Sequence, residues 1–361
     1  MKKTWKILCL ALSLLMLVCA FCACAGEASG CCCSTGNGCA CCNGANGNES
    51  GNGESESITV DVLGQESGSG ENGENEEQPE SFRARILLVT DIHYCHEDYL
   101  GADMDQRISL MVNDINEEHK KDPLSMILFL GDYSLDHWKW QVQGSWLKEG
   151  KSYTKMFLDQ YKSRLPDVPM FFVAGNHEQY GEALWQEISG NSRQGTMVLG
   201  DNLFIMWDSY GGELDPDYHH DGVYTPMDVA WVRAQMDAHP DKSVFLVSHY
   251  FNAAQESEAA AALIADKRVI CLFAGHNHKS GITTLGAKFG YKTLIFCGNY
   301  SQSNGADADP GDDMWGFREL ILTETNAVSH YIVPENYYAY GGNTYHVDYH
   351  YQNVASFKLY R

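Results

Sequence analysis

An α/β fold of two packed mixed sheets with helices outside is predicted by three features of this 361-residue sequence. Five apolar runs, each the length of one strand, end at once in Asp, Asn or His. Segments with helical spacing lie between them, and the last third is rich in further strand-like runs. Strands that are apolar throughout are covered on both faces, and strands alternating with helices build the layers that cover them.

In chain order, residues 85–90 lead into Asp91-Ile92-His93, residues 126–130 into Gly131-Asp132, and residues 170–174 into Gly175-Asn176-His177-Glu178. Residues 244–248 end in His249, and residues 270–274 end in Gly275-His276-Asn277-His278. Ligand-bearing loops gather at the carboxyl ends of such strands. Between the first two runs, Ile108, Met111, Val112 and Ile115 share one helical face before Asp122-Pro123 stops the turn. Another helix is expected to start at Thr225-Pro226, with Asp228 three residues after the cap. It would use Val229, Val232 and Met236 as its stripe and end before Pro240. Residues 203–207, 291–296, 317–322 and 329–333 read as strands that complete the core, and the chain has no internal repeat.

The N-terminus is of a different kind. Lys2, Lys3 and Lys6 precede an apolar run over residues 7–25 that ends in small residues, the pattern of an export signal. Residues 1–25 are therefore expected to be a signal peptide or a lipoprotein signal or anchor. Cys24 and Cys31 are the candidate lipidated cysteines, although neither has Leu three residues upstream. An uncleaved anchor of about 19 residues is the alternative. Ten of the thirteen cysteines precede Asn43, six of them between Cys31 and Cys42, at spacings that fit no zinc-site template. Residues 26–81 read as a disordered Cys/Gly/Ser/Glu-rich linker with too little apolar content to offset the entropy of ordering. Residues 82–361 read as the remaining domain, which holds all five strand-end motifs.

The formal charge is −23, and residues 82–361 alone carry 37 acids against 22 bases. Such an excess argues against a nucleic-acid polymer as partner. The length and apolar content exclude small disulfide-stapled folds, coiled coils and polytopic membrane proteins.

D-x-H, G-D and G-N-H-E, followed by a strand-terminal histidine and then G-H-x-H, resemble the calcineurin-like metallophosphoesterases over residues 84–323. The resemblance implies a four-layer α/β/β/α sandwich of two mixed β-sheets. It also implies two divalent transition metals, Mn, Fe, Zn or Co, sharing Asp132. The first would take Asp91, His93, Asp132 and His278; the second would take Asp132, Asn176, His249 and His276. An oxygen and nitrogen set of this kind suits borderline transition metals. A water bridging two such ions is acidified to hydroxide near neutral pH, while the cations offset phosphoryl charge during in-line attack. By the same resemblance, His177 stays unligated and donates a proton to the leaving oxygen. Asp136 is its candidate orienting carboxylate, although relatives place that acid three residues after the shared Asp, where this chain has Leu135. Purple acid phosphatases carry Tyr at that position and lack a histidine equivalent to His93, so no tyrosine-to-iron colour is expected.

The expected function is hydrolysis of small phosphate esters by a secreted or surface-tethered enzyme, with Glu178 after Gly-Asn-His favouring monoesters. A nucleotide or lipid-headgroup phosphodiesterase on the same site is the alternative, and a non-catalytic metal-binding surface protein is a second. His96 and Tyr250 adjoin motifs. His219 and His220 lie in an Asp/Gly-rich run that reads as a surface loop. Tyr337, Tyr338, Tyr340, Tyr345, Tyr349, Tyr351 and Tyr360 crowd the end of the chain and read as strand packing, with stacking on sugar or base rings as the alternative.

Overall fold

The computed structural model describes residues 82–94, 104–134, 152–178, 181–211, 222–300, 316–332 and 353–361. The leader, the cysteine cluster and linker, His96, Asp136, the His219-His220 loop and the tyrosines from 337 to 351 lie outside the described residues.

One sheet has the order β12-β11-β10-β1-β2-β3. Its members are β1 (Arg83–Val89), β2 (Met126–Phe129), β3 (Met170–Phe172), β10 (Phe317–Thr323), β11 (Asn326–Ile332) and β12 (Ala355–Lys358). The other has the order β4-β5-β6-β7-β9-β8. It comprises β4 (Gly195–Leu199), β5 (Asn202–Met206), β6 (Ser243–Ser248), β7 (Val269–Ala274), β8 (Ser280–Thr284) and β9 (Thr293–Cys297). Strands β1, β2 and β3 are mutually parallel, as are β5, β6, β7 and β9, and the remaining pairs are antiparallel.

Alternation of side chains along these strands builds three apolar layers. In β1, Leu87 and Val89 face outward onto the helices α1 (Met104–Lys121), α2 (Tyr153–Tyr161) and α3 (Glu182–Ser189). The alternate residues Ile86 and Leu88 face inward, where they meet Phe204, Phe245 and Phe273 of the other sheet. The far face of that sheet, with Leu203, Ile205, Leu246 and Leu272, is covered by α4 (Val229–Ala238) and α5 (Glu258–Ile264). The result is the expected α/β/β/α sandwich, with continuous apolar strands where both faces are covered.

The helical stripe of Ile108, Met111, Val112 and Ile115 is buried as expected, and α1 ends at Lys121. The start of α4 differs from expectation. Asp228 is its cap, its side chain accepting from the Trp231 N–H at 3.0 Å. Thr225 is not the cap because the backbone before Asp228 is engaged elsewhere. The Thr225 N–H bonds to the Ser209 carbonyl, and the Met227 N–H bonds to the Glu256 carboxylate. Among the described residues, no helix is long and apolar enough to cross a membrane. Cys271 and Cys297 are buried free thiols.

Candidate metal centre

The carboxyl ends of β1, β2, β3, β6 and β7 meet at one place. Backbone bonds from Asp91, Ile92 and His93 to the carbonyls of Gly131 and Asp132 lock the first two strand tips together. Gly275 N–H to the His249 carbonyl does the same for β6 and β7. Six described non-glycine residues have positive φ, and five of them are Asp91, His93, Asp132, His276 and His278. A left-handed residue costs on the order of 1 kcal/mol. Bearing that cost at five residues on the tips of β1, β2 and β7 turns the chain sharply where the ligand side chains gather.

Two groups of ligand atoms result. One atom each from Asp91, His93, Asp132 and His278 lies within 4.8 Å of the others, and the same holds for Asp132, His249 and His276. Asp132 belongs to both. Its Oδ2 is 3.5 Å from His93 Nε2 and 3.2 Å from His249 Nε2, and Asp91 Oδ1 is 3.2 Å from His278 Nε2. Asn176 Oδ1 joins the second group at 2.9 Å from both His249 Nε2 and His276 Nδ1. Asp91, His93, Asp132, Asn176 and His249 are buried, while His276 and His278 are half-buried and form the open side.

The donor set fits a cation. His249 Nδ1 donates to the Leu130 carbonyl at 2.7 Å, so the neutral ring presents its Nε2 lone pair inward. The amide oxygen of Asn176, lone-pair nitrogens and a carboxylate oxygen then face one another, an arrangement that acceptor atoms adopt around positive charge. Turning the Asn176 amide over instead lets its nitrogen donate to His249, His276 and Asp132.

Carboxylate–imidazole pairing sets the electrostatics of the cluster: a second proton on His249, at Nε2, pairs with Asp132 at 3.2 Å, and a bound cation takes that proton's place. Burial alone raises the Asp132 carboxyl, yet His249 and His177 outweigh it and hold the group well below the usual carboxylate range. Asp91 is likewise held low against burial, by His278. Burial pulls the His249 imidazole down, but Asp132 prevails and lifts it to about 9. His276, buried beside His249, falls to about 4.

The small residues in these motifs are required by close approach. A Cβ on Gly175 would strike Asp132 Oδ1, and one on Gly275 would strike Thr90 Oγ1 and come within 2.7 Å of Asp91 Oδ2. His177 follows Asn176 and is buried, its Nε2 3.9 Å from Asp132 Oδ2 and its ring edge-on to His93 at 5.2 Å. Its own backbone N–H donates to Asp132 Oδ1 at 3.1 Å. Asp136, its expected partner, lies outside the described residues.

Glu178 is turned away from the ligands. Its Oε2 accepts from the N–H groups of Asp132 (2.7 Å) and Gly175 (3.0 Å), and its Oε1 accepts from Tyr133 N–H (2.9 Å). It clamps the tips of β2 and β3. Burial, reinforced by Asp132, pushes it up to about 8 against those backbone donors.

Several supporting residues surround the ligands, and of these only Tyr250, next to His249, stands out in the sequence. Residues 298–300 follow β9 as the other motifs follow their strands. Asn299 Nδ2 donates to the His278 carbonyl at 2.6 Å, and Tyr300 N–H donates to the Thr90 and Asp91 carbonyls. Buried Arg107 on α1 then ties the carbonyls of Ile92 and Tyr300 together. That sixth strand end repeated the pattern of an apolar run followed by a polar residue, so its signal was present. Tyr210 and Tyr250 flank the second ligand group: Tyr250 packs on the His276 ring at 4.4 Å, and Tyr210 Oη is 3.4 Å from His276 Nε2.

The sequence profile of the calcineurin-like phosphoesterase family matches residues 84–280. No curated protein sequence matches the chain. Among solved structures, a dimetal phosphatase from Danio rerio is 16% identical, covers 68% of this chain and 95% of its own, and gives a TM-score of 0.49. A purple acid phosphatase from yellow lupin (Lupinus luteus) seeds is 12% identical over 77% of this chain and 54% of its own, with a TM-score of 0.48. GAP50, the anchor in the inner membrane complex of Plasmodium, is 14% identical over 70% of this chain and 85% of its own, with a TM-score of 0.42.

Proposed function

The chain belongs to the calcineurin-like phosphoesterase family of metal-dependent phosphoester hydrolases, and on that premise we propose that it is an exported phosphomonoesterase with a dinuclear centre. The observation that carries this reading is the pair of ligand groups sharing Asp132. Asp91, His93, Asp132 and His278 would hold one divalent transition metal, and Asp132, Asn176, His249 and His276 the other. Bound there, two such ions supply an activated water and neutralise phosphoryl charge.

The chain's own residues do the rest. Among the described residues, Asp132 is the only side chain common to both groups, and the His177 backbone N–H fixes its orientation through Oδ1. His177 Nε2 faces the same space and donates its proton to the departing ester oxygen. Half-buried His276 and His278 leave the side through which a small phosphate ester enters. The acidic surface does not oppose entry, because salt screens exposed charges beyond about 8–10 Å.

Support for monoesters is the Gly-Asn-His-Glu motif. Since Glu178 spends its carboxylate on backbone donors, discrimination against diesters belongs to groups at the open side. The test loads metal-free protein with Mn, Zn, Fe or Co and compares matched aryl monoester and diester substrates. Faster monoester turnover supports the reading; faster diester turnover transfers the site to the phosphodiesterase alternative; activity on neither, with metals bound, defeats the enzyme. Export and surface tethering are supported by Lys2, Lys3, Lys6 and the apolar run after them. Recovery of the full chain only in the cytosolic fraction would refute both.

A further inference from the structure

The two histidines of the second ligand group turn opposite nitrogens to the centre. His249 presents Nε2 and His276 presents Nδ1, each 2.9 Å from Asn176 Oδ1. A neutral imidazole that offers one nitrogen as a lone pair carries its proton on the other, and whatever accepts that proton decides which nitrogen is committed inward. For His249 the acceptor is the Leu130 carbonyl. For His276 the outward Nε2 faces the hydroxyl of Tyr210 at 3.4 Å.

Tyr210 is held in place from several sides. Its ring stacks on Tyr250 at 6.2 Å and meets Tyr224 edge-on at 6.5 Å. Its backbone N–H donates to Asp208 Oδ1 at 3.1 Å, and its carbonyl accepts from Arg193 at 3.3 Å. Arg193 and Asp208 are joined by two hydrogen bonds, and the same guanidinium donates to the Glu178 carbonyl at 2.7 Å. The Tyr210 hydroxyl is thereby referenced to the Asn176-His177-Glu178 loop as well as to His276.

We propose that Tyr210 is a positioning residue that accepts the Nε2 proton of His276 and so commits Nδ1 of that ring to the second metal. This rests on the dinuclear reading above. Partners that orient a ligating imidazole in this way typically contribute about 10–100-fold in metal affinity. Tyr210→Phe keeps the ring and its stacking and removes the hydroxyl. Tyr250→Phe is the control, since its ring lies on His276 while its hydroxyl is not the group facing Nε2.

The experiment titrates the zinc-loaded full chain with a competing chelator and counts zinc per chain at each step. The wild-type protein is expected to hold two ions. Tyr210→Phe is expected to release one of them at roughly tenfold lower chelator activity, with release of the other and the circular-dichroism spectrum unchanged, and Tyr250→Phe is expected to follow wild type. Wild-type stoichiometry below two defeats the dinuclear reading and this inference with it. Two ions in the wild type, with Tyr210→Phe releasing both as wild type does, overturns the inference alone. So does equal loosening of both ions, or equal loosening by Tyr250→Phe, since either would mark a general packing effect. A Tyr210→Phe protein with altered circular dichroism is replaced by Tyr210→Met, which also lacks the acceptor, and the same comparison decides.

Discussion

Side-chain identity matters most at Asp132, because it is shared by both ligand groups and lies within 3.5 Å of two imidazoles. Asp132→Asn is expected to lower turnover by roughly 10³-fold or more, the scale of removing a central electrostatic group, and to reduce bound metal at both positions in elemental analysis. Loss at one position only would show that the carboxylate is not shared. His177→Asn is expected to slow esters with alkoxide leaving groups by about 10²–10⁴-fold while sparing p-nitrophenyl phosphate, whose leaving group needs no proton. Equal losses on both substrates would remove His177 as the acid. The convergence of Asp91, His93, Asp132, Asn176, His249, His276 and His278 was legible in the sequence because each lies within four residues of the end of the strand that carries it. Tyr210 was not, because it reaches His276 from a loop 66 positions away, and no spacing rule encodes that approach.

Elements place these residues through their ends. Glu178 joins the tips of β2 and β3 by accepting from the backbone of Asp132, Tyr133 and Gly175. Gly-Asn-His-Glu marked the residue in the sequence but not its partners, because the turn at residues 176–177 reverses the chain and points Glu178 back into the core. Gly175→Ala is expected to cost about 1–3 kcal/mol in urea unfolding, since a Cβ there meets Asp132 with no room to yield. An unchanged midpoint would contradict that close approach. On α1, Asp114 accepts from Tyr300 Oη at 2.8 Å, and burial pushes its carboxyl up to about 6 despite that bond. The folded chain thus holds this proton more tightly than the unfolded one, whose Asp titrates near about 3.9. Stability therefore falls as pH rises from about 4 through about 6. Asp114→Asn is expected to flatten that fall and leave the protein roughly 1 kcal/mol more stable than wild type at pH 7, after allowance for solvent screening. A parallel pH profile in the variant would refute it. Helix α4 shows the limit of reading ends from sequence: Thr225-Pro226 looks like a start, but Glu256, distant in sequence, occupies the Met227 N–H and moves the cap to Asp228.

For the whole molecule, the sandwich was legible because covering a sheet on both faces forces apolar residues into every position of its strands. The edge strands β8 and β12 were not, because both leave much of their length exposed, Ile282 of β8 included. Among the described residues, all candidate ligands come from residues 91–278. A chain starting at Ser81 is therefore expected to hydrolyse aryl phosphate at the full-length rate, whereas loss of activity on removing the tail would favour the metal-binding surface protein. The central claim is geometric: strand ends from two sheets bring together two ions sharing one aspartate. Anomalous diffraction from crystals of the zinc-loaded protein tests it most directly. The account predicts two peaks about 3.5–4 Å apart, both within bonding distance of Asp132. A single peak, or two that do not share that carboxylate, would contradict it.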